Sequence, residues 1–201
     1  MKPWVASILA MAMALGMSAE AVTSDRTLGN LQAAYLGEIS ARATYEGYAR
    51  KAQAEGFLGV AALFRASALS EGVHAAAHAT VIRKMGAVPR TDTKVAGPLS
   101  TKENLEQAIK AEGFEEASLY PAFIRVAREE GHKAALQSFT FAKNAEREHS
   151  SLFLGALAGL ETWRAGKSFL VCTQCGYTLP KISLEKCPFC LGSRGRMVTV
   201  Q

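Results

Sequence analysis

Two residue pairs repeat a spacing that suits metal chemistry: Glu71-Gly72-Val73-His74 and Glu146-Arg147-Glu148-His149. On a helix, positions i and i+3 share a face, so in each pair a carboxylate and an imidazole point the same way. A bundle that offers two such pairs, with a further carboxylate from each of two other helices, can hold a bridged pair of metal ions. Glu38, Glu112 and Glu115 are the further carboxylates, and hard oxygen donors with two imidazoles suit iron or manganese. Glu71 and Glu146 read as bridges, and His74 and His149 as one nitrogen for each ion. His78 extends the His74 face by a turn and reads as a residue behind the ligands or at the surface. His132, beside a turn, reads as exposed.

The elements that must position these residues follow from an internal repeat. With an offset of 75 and no gap, Tyr45, Arg50, Ala52, Glu55, Gly56, Phe64, Glu71 and His74 match Tyr120, Arg125, Ala127, Glu130, Gly131, Phe139, Glu146 and His149. Each half is expected to be a helical hairpin turning at its Glu-Gly. The expected helices run from Thr27 to Glu55, from about Phe57 to Met85, from Ser100 to Glu130 with a bend at Pro121, and from Gly131 to about Arg164. Ser100 with Glu103 forms a capping-box pattern. Residues 86–100 can stretch about 50 Å, enough to return along a helix of about 43 Å. One long crossover between two tight hairpins is the ferritin-like topology. Counting from the turns places Glu71 and Glu146 about 23 Å up their helices, level with Glu38, Glu112 and Glu115. Tyr45 and Tyr120, as repeat mates near that level, are candidates for packing and for donating a phenolic proton to a bridging carboxylate or to bound oxygen species.

All four cysteines fall within Cys172-x-x-Cys175 and Cys187-x-x-Cys190, two knuckles that can present four thiolates to one tetrahedral ion. Spacing alone fits zinc or a single iron. The net charge of +5 is spread among acids, with no basic run interleaved with aromatics, which argues against a nucleic-acid partner. At the start, Lys2, the uncharged run Val5 to Met17 and Ala19-Glu20-Ala21 have the form of a cleavable export signal. The run is too short for a permanent anchor, so a periplasmic or exported protein without a membrane anchor is expected. The expected division is a signal at 1–21, a bundle at 22–165 and a four-cysteine domain at 166–201.

Taken together, Gly37-Glu38, Glu71-x-x-His74, Glu112-x-x-Glu115 before Leu119-Tyr120-Pro121, Glu146-x-x-His149 and the two Cys-x-x-Cys knuckles resemble rubrerythrin. The resemblance implies a mainly α protein: a ferritin-like di-iron bundle with a small rubredoxin-like domain carrying one iron on four thiolates. It implies peroxidase activity toward hydrogen peroxide, an electron donor, and a homodimer in which one subunit's rubredoxin iron lies near the other's di-iron centre. It also implies that His74 and Glu115 exchange at one iron between redox states. Gly72, where a good helix former is expected, should loosen its turn. The rival readings are a ferroxidase or iron-handling ferritin-like protein and a non-catalytic helical scaffold with a zinc ribbon. If the export reading holds, N-terminal sequencing of protein from fractionated cells will find a start near Val22; an intact Met1 on cytosolic material would overturn it.

Overall fold

The computed structural model describes residues 25–201, so the export segment lies outside the described residues. Four helical rods form an antiparallel bundle: α1 (Arg26–Ala54), α2 (Leu58–Lys84), a third rod made of α3 (Thr101–Phe114) and α4 (Tyr120–Glu129), and α5 (Lys133–Ala158). Gly56, Gly86 and Gly131 all adopt positive φ, the conformation that ends a helix at least cost when the residue lacks a Cβ. After each glycine the chain closes the same way, with Phe57 N–H donating to Ala52 O, Ala87 to Ile82 O and His132 to Ala127 O.

The turn glutamates do more than precede a glycine. Glu55 accepts from the backbone N–H and hydroxyl of Thr101, at 2.8 and 2.6 Å, in the first turn of α3. Its repeat mate Glu130 accepts from the backbone N–H and hydroxyl of Thr27, at 2.9 and 2.7 Å, in the first turn of α1. Each hairpin thus caps the opening helix of the other, satisfying donors that a helix start leaves free. The crossover runs along α1, where Gln32, Ser40 and Thr44 receive it: Gln32 Nε2 donates to Val88 O, and Lys94 N–H donates to Ser40 Oγ. Ala96 N–H donates in turn to Thr44 Oγ1.

Three expectations are corrected. The third rod is not one α-helix bent at Pro121: residues Glu115–Leu119 form a π-helical turn, with Tyr120 N–H reaching Glu115 O, and α4 restarts behind it. The cause is visible in the repeat. Glu38 to Tyr45 spans seven residues and Glu112 to Tyr120 spans eight, and one π turn absorbs the additional residue, keeping Glu112 and Tyr120 both buried. The last rod stops at Ala158, where Gly159 leaves helical geometry, and a short 3₁₀ turn (Leu160–Trp163) follows. Gly72 does not loosen α2, which continues through it; an added Cβ would lie 3.1 Å from Arg42 Nη1, so the missing side chain admits the neighbouring guanidinium.

Beyond the bundle, β1 (Phe169–Cys172), β2 (Thr178–Pro180) and β3 (Met197–Val200) form an antiparallel sheet in the order β2-β1-β3. The connector is pinned to the first hairpin turn by Arg164, which lies over the Phe57 ring at 4.1 Å and donates to Glu55 O. Gly59 passes so close that an added Cβ would stand 2.7 Å from Ala165 O. Among the described residues no helix is long and apolar enough to cross a membrane.

The reciprocal caps carry a pH signature. Donors from Thr101, then Lys51, hold the Glu55 carboxyl at about 2, and donors from Thr27, then Arg26, hold Glu130 at about 2, against an ordinary 4.5. A carboxyl depressed in the folded state stabilises above its unfolded pKa and loses that contribution as pH falls through the folded value. The contribution should therefore vanish between pH 4.5 and about 2. Thermal melts near neutrality and at about pH 3 check this: a Glu55→Gln, Glu130→Gln double variant starts with the lower melting temperature and loses less on acidification.

Candidate metal centres

Each rod brings one carboxylate to a common level: Glu38 from α1, Glu71 from α2, Glu112 from α3 and Glu146 from α5, all at most 2% exposed. His74 and His149 complete the cluster from α2 and α5. His74 Nδ1 faces Glu71 Oε2 at 3.1 Å, Glu146 Oε1 at 3.2 Å and Glu38 Oε2 at 3.7 Å. His149 Nδ1 faces Glu146 Oε2 at 3.0 Å, Glu71 Oε1 at 3.4 Å and Glu112 Oε2 at 3.6 Å. Two equivalent donor sets result, each with one nitrogen, one carboxylate of its own and the two shared carboxylates Glu71 and Glu146. Donors bound about 2.1 Å from one ion at right angles stand roughly 3 Å apart, close to these separations.

Metal is implied by what is left unsatisfied. Glu71 Oε1, Glu112 Oε2 and Glu146 Oε1 are buried without a hydrogen-bond partner, an arrangement that is costly unless something cationic occupies the space between them. Four carboxylates and two divalent ions balance in charge. Without those ions, the cluster draws protons instead. Burial and then the Glu71 and Glu112 charges push Glu146 well above the usual carboxylate range, and burial and then Glu112 raise Glu71. Burial opposes a charge on the imidazoles, but Glu146 and Glu38 raise His74 well above its ordinary value, and Glu71 and Glu112 do so for His149. Glu38 goes the other way: burial alone would raise it, and His74, then His78, hold it down.

Both tyrosines reach the cluster. Tyr45 donates to Glu112 Oε1 at 2.5 Å and Tyr120 donates to Glu38 Oε1, each across the bundle to a carboxylate of the other hairpin. Burial, then those carboxylates, raise both phenols well above 10, so they remain protonated donors. Glu115, by contrast, is half-buried at the start of the π turn and joins neither donor set. It lines a surface pocket of about 260 Å³ with Tyr45, Ser40, Thr44 and Lys94. Burial and the Glu38 and Glu146 charges push its carboxyl well above the usual range.

His78 is fully buried behind Glu38, 3.4 Å from the Tyr120 hydroxyl, with Ser138 Oγ 2.8 Å from its Nδ1. Burial lowers its pKa, keeping the ring neutral. The repeat offset pairs His78 with Phe153 and Ser138 with Leu63, both fully buried apolar residues. The first hairpin's tyrosine thus sits in an aromatic nest with Phe64 and Phe153, whereas Tyr120 has a polar neighbour leading toward the surface. His132 lies half-exposed at its turn, 3.4 Å from Asp25.

The second centre is the thiolate cluster. Cys172 Sγ and Cys190 Sγ are 3.6 Å apart, and Cys175 Sγ and Cys187 Sγ 3.7 Å. Sulfurs bound at 2.3 Å in a tetrahedron would be separated by about 3.8 Å, whereas a disulfide would need about 2.05 Å. The two knuckles are built alike: Gly176 N–H donates to Cys172 O and Leu191 N–H to Cys187 O, with both residues at positive φ. Backbone N–H groups of Gln174 and Cys175 donate to the Cys172 sulfur, which, with the thiol of Cys175 bonding it first, brings its pKa down to about 5.

The centres meet within one chain. His74 Nε2 is 3.2 Å from Cys175 O, and Ser70 Oγ donates to Gly176 O at 2.6 Å. An added Cβ on Gly176 would lie 2.1 Å from His74 Nε2, so the knuckle can rest on the imidazole only because position 176 is glycine. The resemblance implies this approach between subunits; here the ten-residue connector after Ala158 turns back at Gly59 and makes it in cis. Ser70, Ser138 and Thr178 were not singled out in the sequence. Extending the repeat to positions 63 and 138 would have exposed Ser138 as a polar residue opposite a leucine.

Comparison with known proteins agrees with this architecture. Residues 29–157 match the family model described as rubrerythrin. The chain is 37% identical over 166 residues to nigerythrin of Nitratidesulfovibrio vulgaris (82% of this chain, 81% of the relative). It is 32% identical over 177 residues to rubrerythrin of Porphyromonas gingivalis (85% and 88%). The structure of fully reduced, all-ferrous nigerythrin superposes with a TM-score of 0.81 at 33% identity, covering 92% of this chain and 91% of that one. A bacterioferritin from Mycobacterium tuberculosis, at 19% identity and a TM-score of 0.63 over 69% of this chain and 91% of its own, shares the fold. Loading the metal-free bundle with two divalent ions is expected to release protons, as the imidazoles and carboxyls give up those they hold in the metal's absence. Acidification of a weakly buffered solution measures this, and Glu146→Ala should retain fewer ions in the bundle with the thiolate site filled.

Proposed function

Given that this chain belongs to the rubrerythrin family, we propose that it is a di-iron peroxidase that reduces hydrogen peroxide to water with electrons relayed by a one-iron, four-thiolate site. The observation that carries this reading is the 3.2 Å contact between His74 Nε2 and Cys175 O, which joins a ligand of one centre to the backbone of the other. The two donor sets would hold two ferrous ions, which when bound would supply the electrons for H₂O₂ + 2H⁺ + 2e⁻ → 2H₂O.

The chain's own residues hold, shield and supply protons. Glu71 and Glu146, common to both donor sets, would hold the ions together with His74 and His149, and Glu38 and Glu112 would complete one set each, each steadied by a phenol. Peroxide approaches through the pocket beside Glu115 and Tyr45. Protons pass from the surface along Ser138, His78 and Tyr120, a chain in which neutral His78 accepts at one ring nitrogen and donates at the other. Ser138 opens on a pocket lined by Thr80, Lys84, Gln137 and Gln174. The small domain roofs both histidines and keeps water off them. This roof favours peroxide reduction over iron storage, in which a four-thiolate site whose backbone rests on His74 would have no task.

The relay is complete in one chain and does not require the second copy that a homodimer would add. We place the activity outside the cytoplasm, following the export expectation for residues 1–21, with a donor of that compartment reducing the thiolate-bound iron. The resident ion at the four cysteines is iron in the active form, since zinc has no accessible redox change.

Assays on variants separate the two tasks. Cys187→Ser, chemically prereduced, should still consume one equivalent of peroxide but turn over about 100-fold more slowly with a donor acting through the thiolate site. His149→Ala should fail in both assays. His78→Phe, which copies Phe153 of the other half, should slow steady-state turnover by about 10-fold with its iron content unchanged. Normal turnover by the Cys187 variant would favour the iron-handling rival.

A further inference from the structure

Thr178 stands at the junction of the two centres and belongs to neither ligand set. Its side chain is fully buried, and its hydroxyl donates to Gly176 O at 3.1 Å. The same Oγ1 is 3.1 Å from His149 Nε2. A hydroxyl has one proton, and this one is committed to Gly176, so the contact with His149 runs the other way, from Nε2–H to Oγ1. The geometry leaves little room to rearrange. Gly176 O is fixed by the Ser70 hydroxyl, and the backbone at position 176 is wedged against His74. Thr178 itself is held in β2 by pairing with Val171 of β1.

We propose that Thr178 is a positioning residue for the di-metal centre, fixing His149 in the tautomer and orientation that present Nδ1 to the metal. This rests on reading the buried cluster as a di-metal site. His74 receives the equivalent restraint from a main-chain oxygen, Cys175 O; for His149 the restraint is a side chain and can be removed by substitution. The four-cysteine domain therefore takes the outer N–H of both imidazoles and helps to build the site it roofs. Such outer hydrogen bonds fix ring orientation and raise ligand basicity.

The test compares full-length Thr178→Val and Thr178→Ser proteins loaded anaerobically with ferrous iron. Valine keeps the volume and removes the acceptor; serine keeps the hydroxyl. Competition with a ferrous chelator should show bundle iron held about 10- to 100-fold more weakly in Thr178→Val, with a shifted bundle midpoint potential and unchanged absorption from the thiolate site. Thr178→Ser should match the parent in all three. The proposal is overturned if Thr178→Val holds bundle iron at the parental affinity and potential, or if both variants are equally impaired, which would mark a packing role. If the parent protein itself holds no iron in the bundle, the di-metal reading fails and the proposal fails with it.

Discussion

Four carboxylates confined to one dry cavity are the constraint on which the rest of this molecule depends. Isolated buried ions are prohibitive in a medium of low polarity. The chain answers with charge and hydrogen bonds drawn from every rod: two imidazoles at 3.0–3.7 Å, two phenols and, when loaded, two cations. Only the contacts within each Glu-x-x-His pair, Glu71 with His74 and Glu146 with His149, are local in sequence. Each carboxylate also depends on groups from other helices, so the cluster forms only when all four rods are docked. The docking comes from apolar clusters about two turns away along the helices, Phe64 with Phe153 in one and Phe139 in the other.

The internal repeat makes this economical, and its breaks are where function departs from symmetry. A single additional residue between Glu112 and Tyr120 is taken up by a π turn, which keeps the ligand and the tyrosine in phase and rotates Glu115 toward the pocket. A histidine and a serine replace Phe153 and Leu63 at the matching positions, opening a polar route on one side only. The third break is the roof, which makes different contacts with the two histidines: a carbonyl for His74 and a hydroxyl for His149.

Much of the bundle was legible in the sequence because its signals are periodic. The Glu-Gly turns, the Ser100 capping box and the level of the carboxylates follow from counting residues along helices, and Ser100 indeed accepts from Glu103 N–H. The paired knuckles were equally legible, since ligand spacing within a tight turn is fixed by covalent geometry. The π turn was not, because helix propensity says nothing about a one-residue phase difference, which appears only when two halves are aligned at two points. Position 112 against 115 could not be separated for the same reason: on an ideal helix both share a face. The partnership of Thr178 with His149 joins residues 29 apart through a docking surface and leaves no periodic trace.

The reciprocal caps bear on how the chain folds. Duplication alone suggests a stepwise route, in which one hairpin forms by itself and then finds its twin through an intermediate with one half structured. Here Glu55 completes the first turn of the other half's opening helix and Glu130 completes the first turn of α1. A lone hairpin has a helix start with unsatisfied donors. Its two ligand carboxylates keep one imidazole, Glu38 and Glu71 with His74 or Glu112 and Glu146 with His149, but lack the phenol and the second imidazole that the other half supplies. The two halves therefore gain stability from each other at the cap and at the site together, which favours a single cooperative transition for the bundle and disfavours half-folded species with exposed apolar faces.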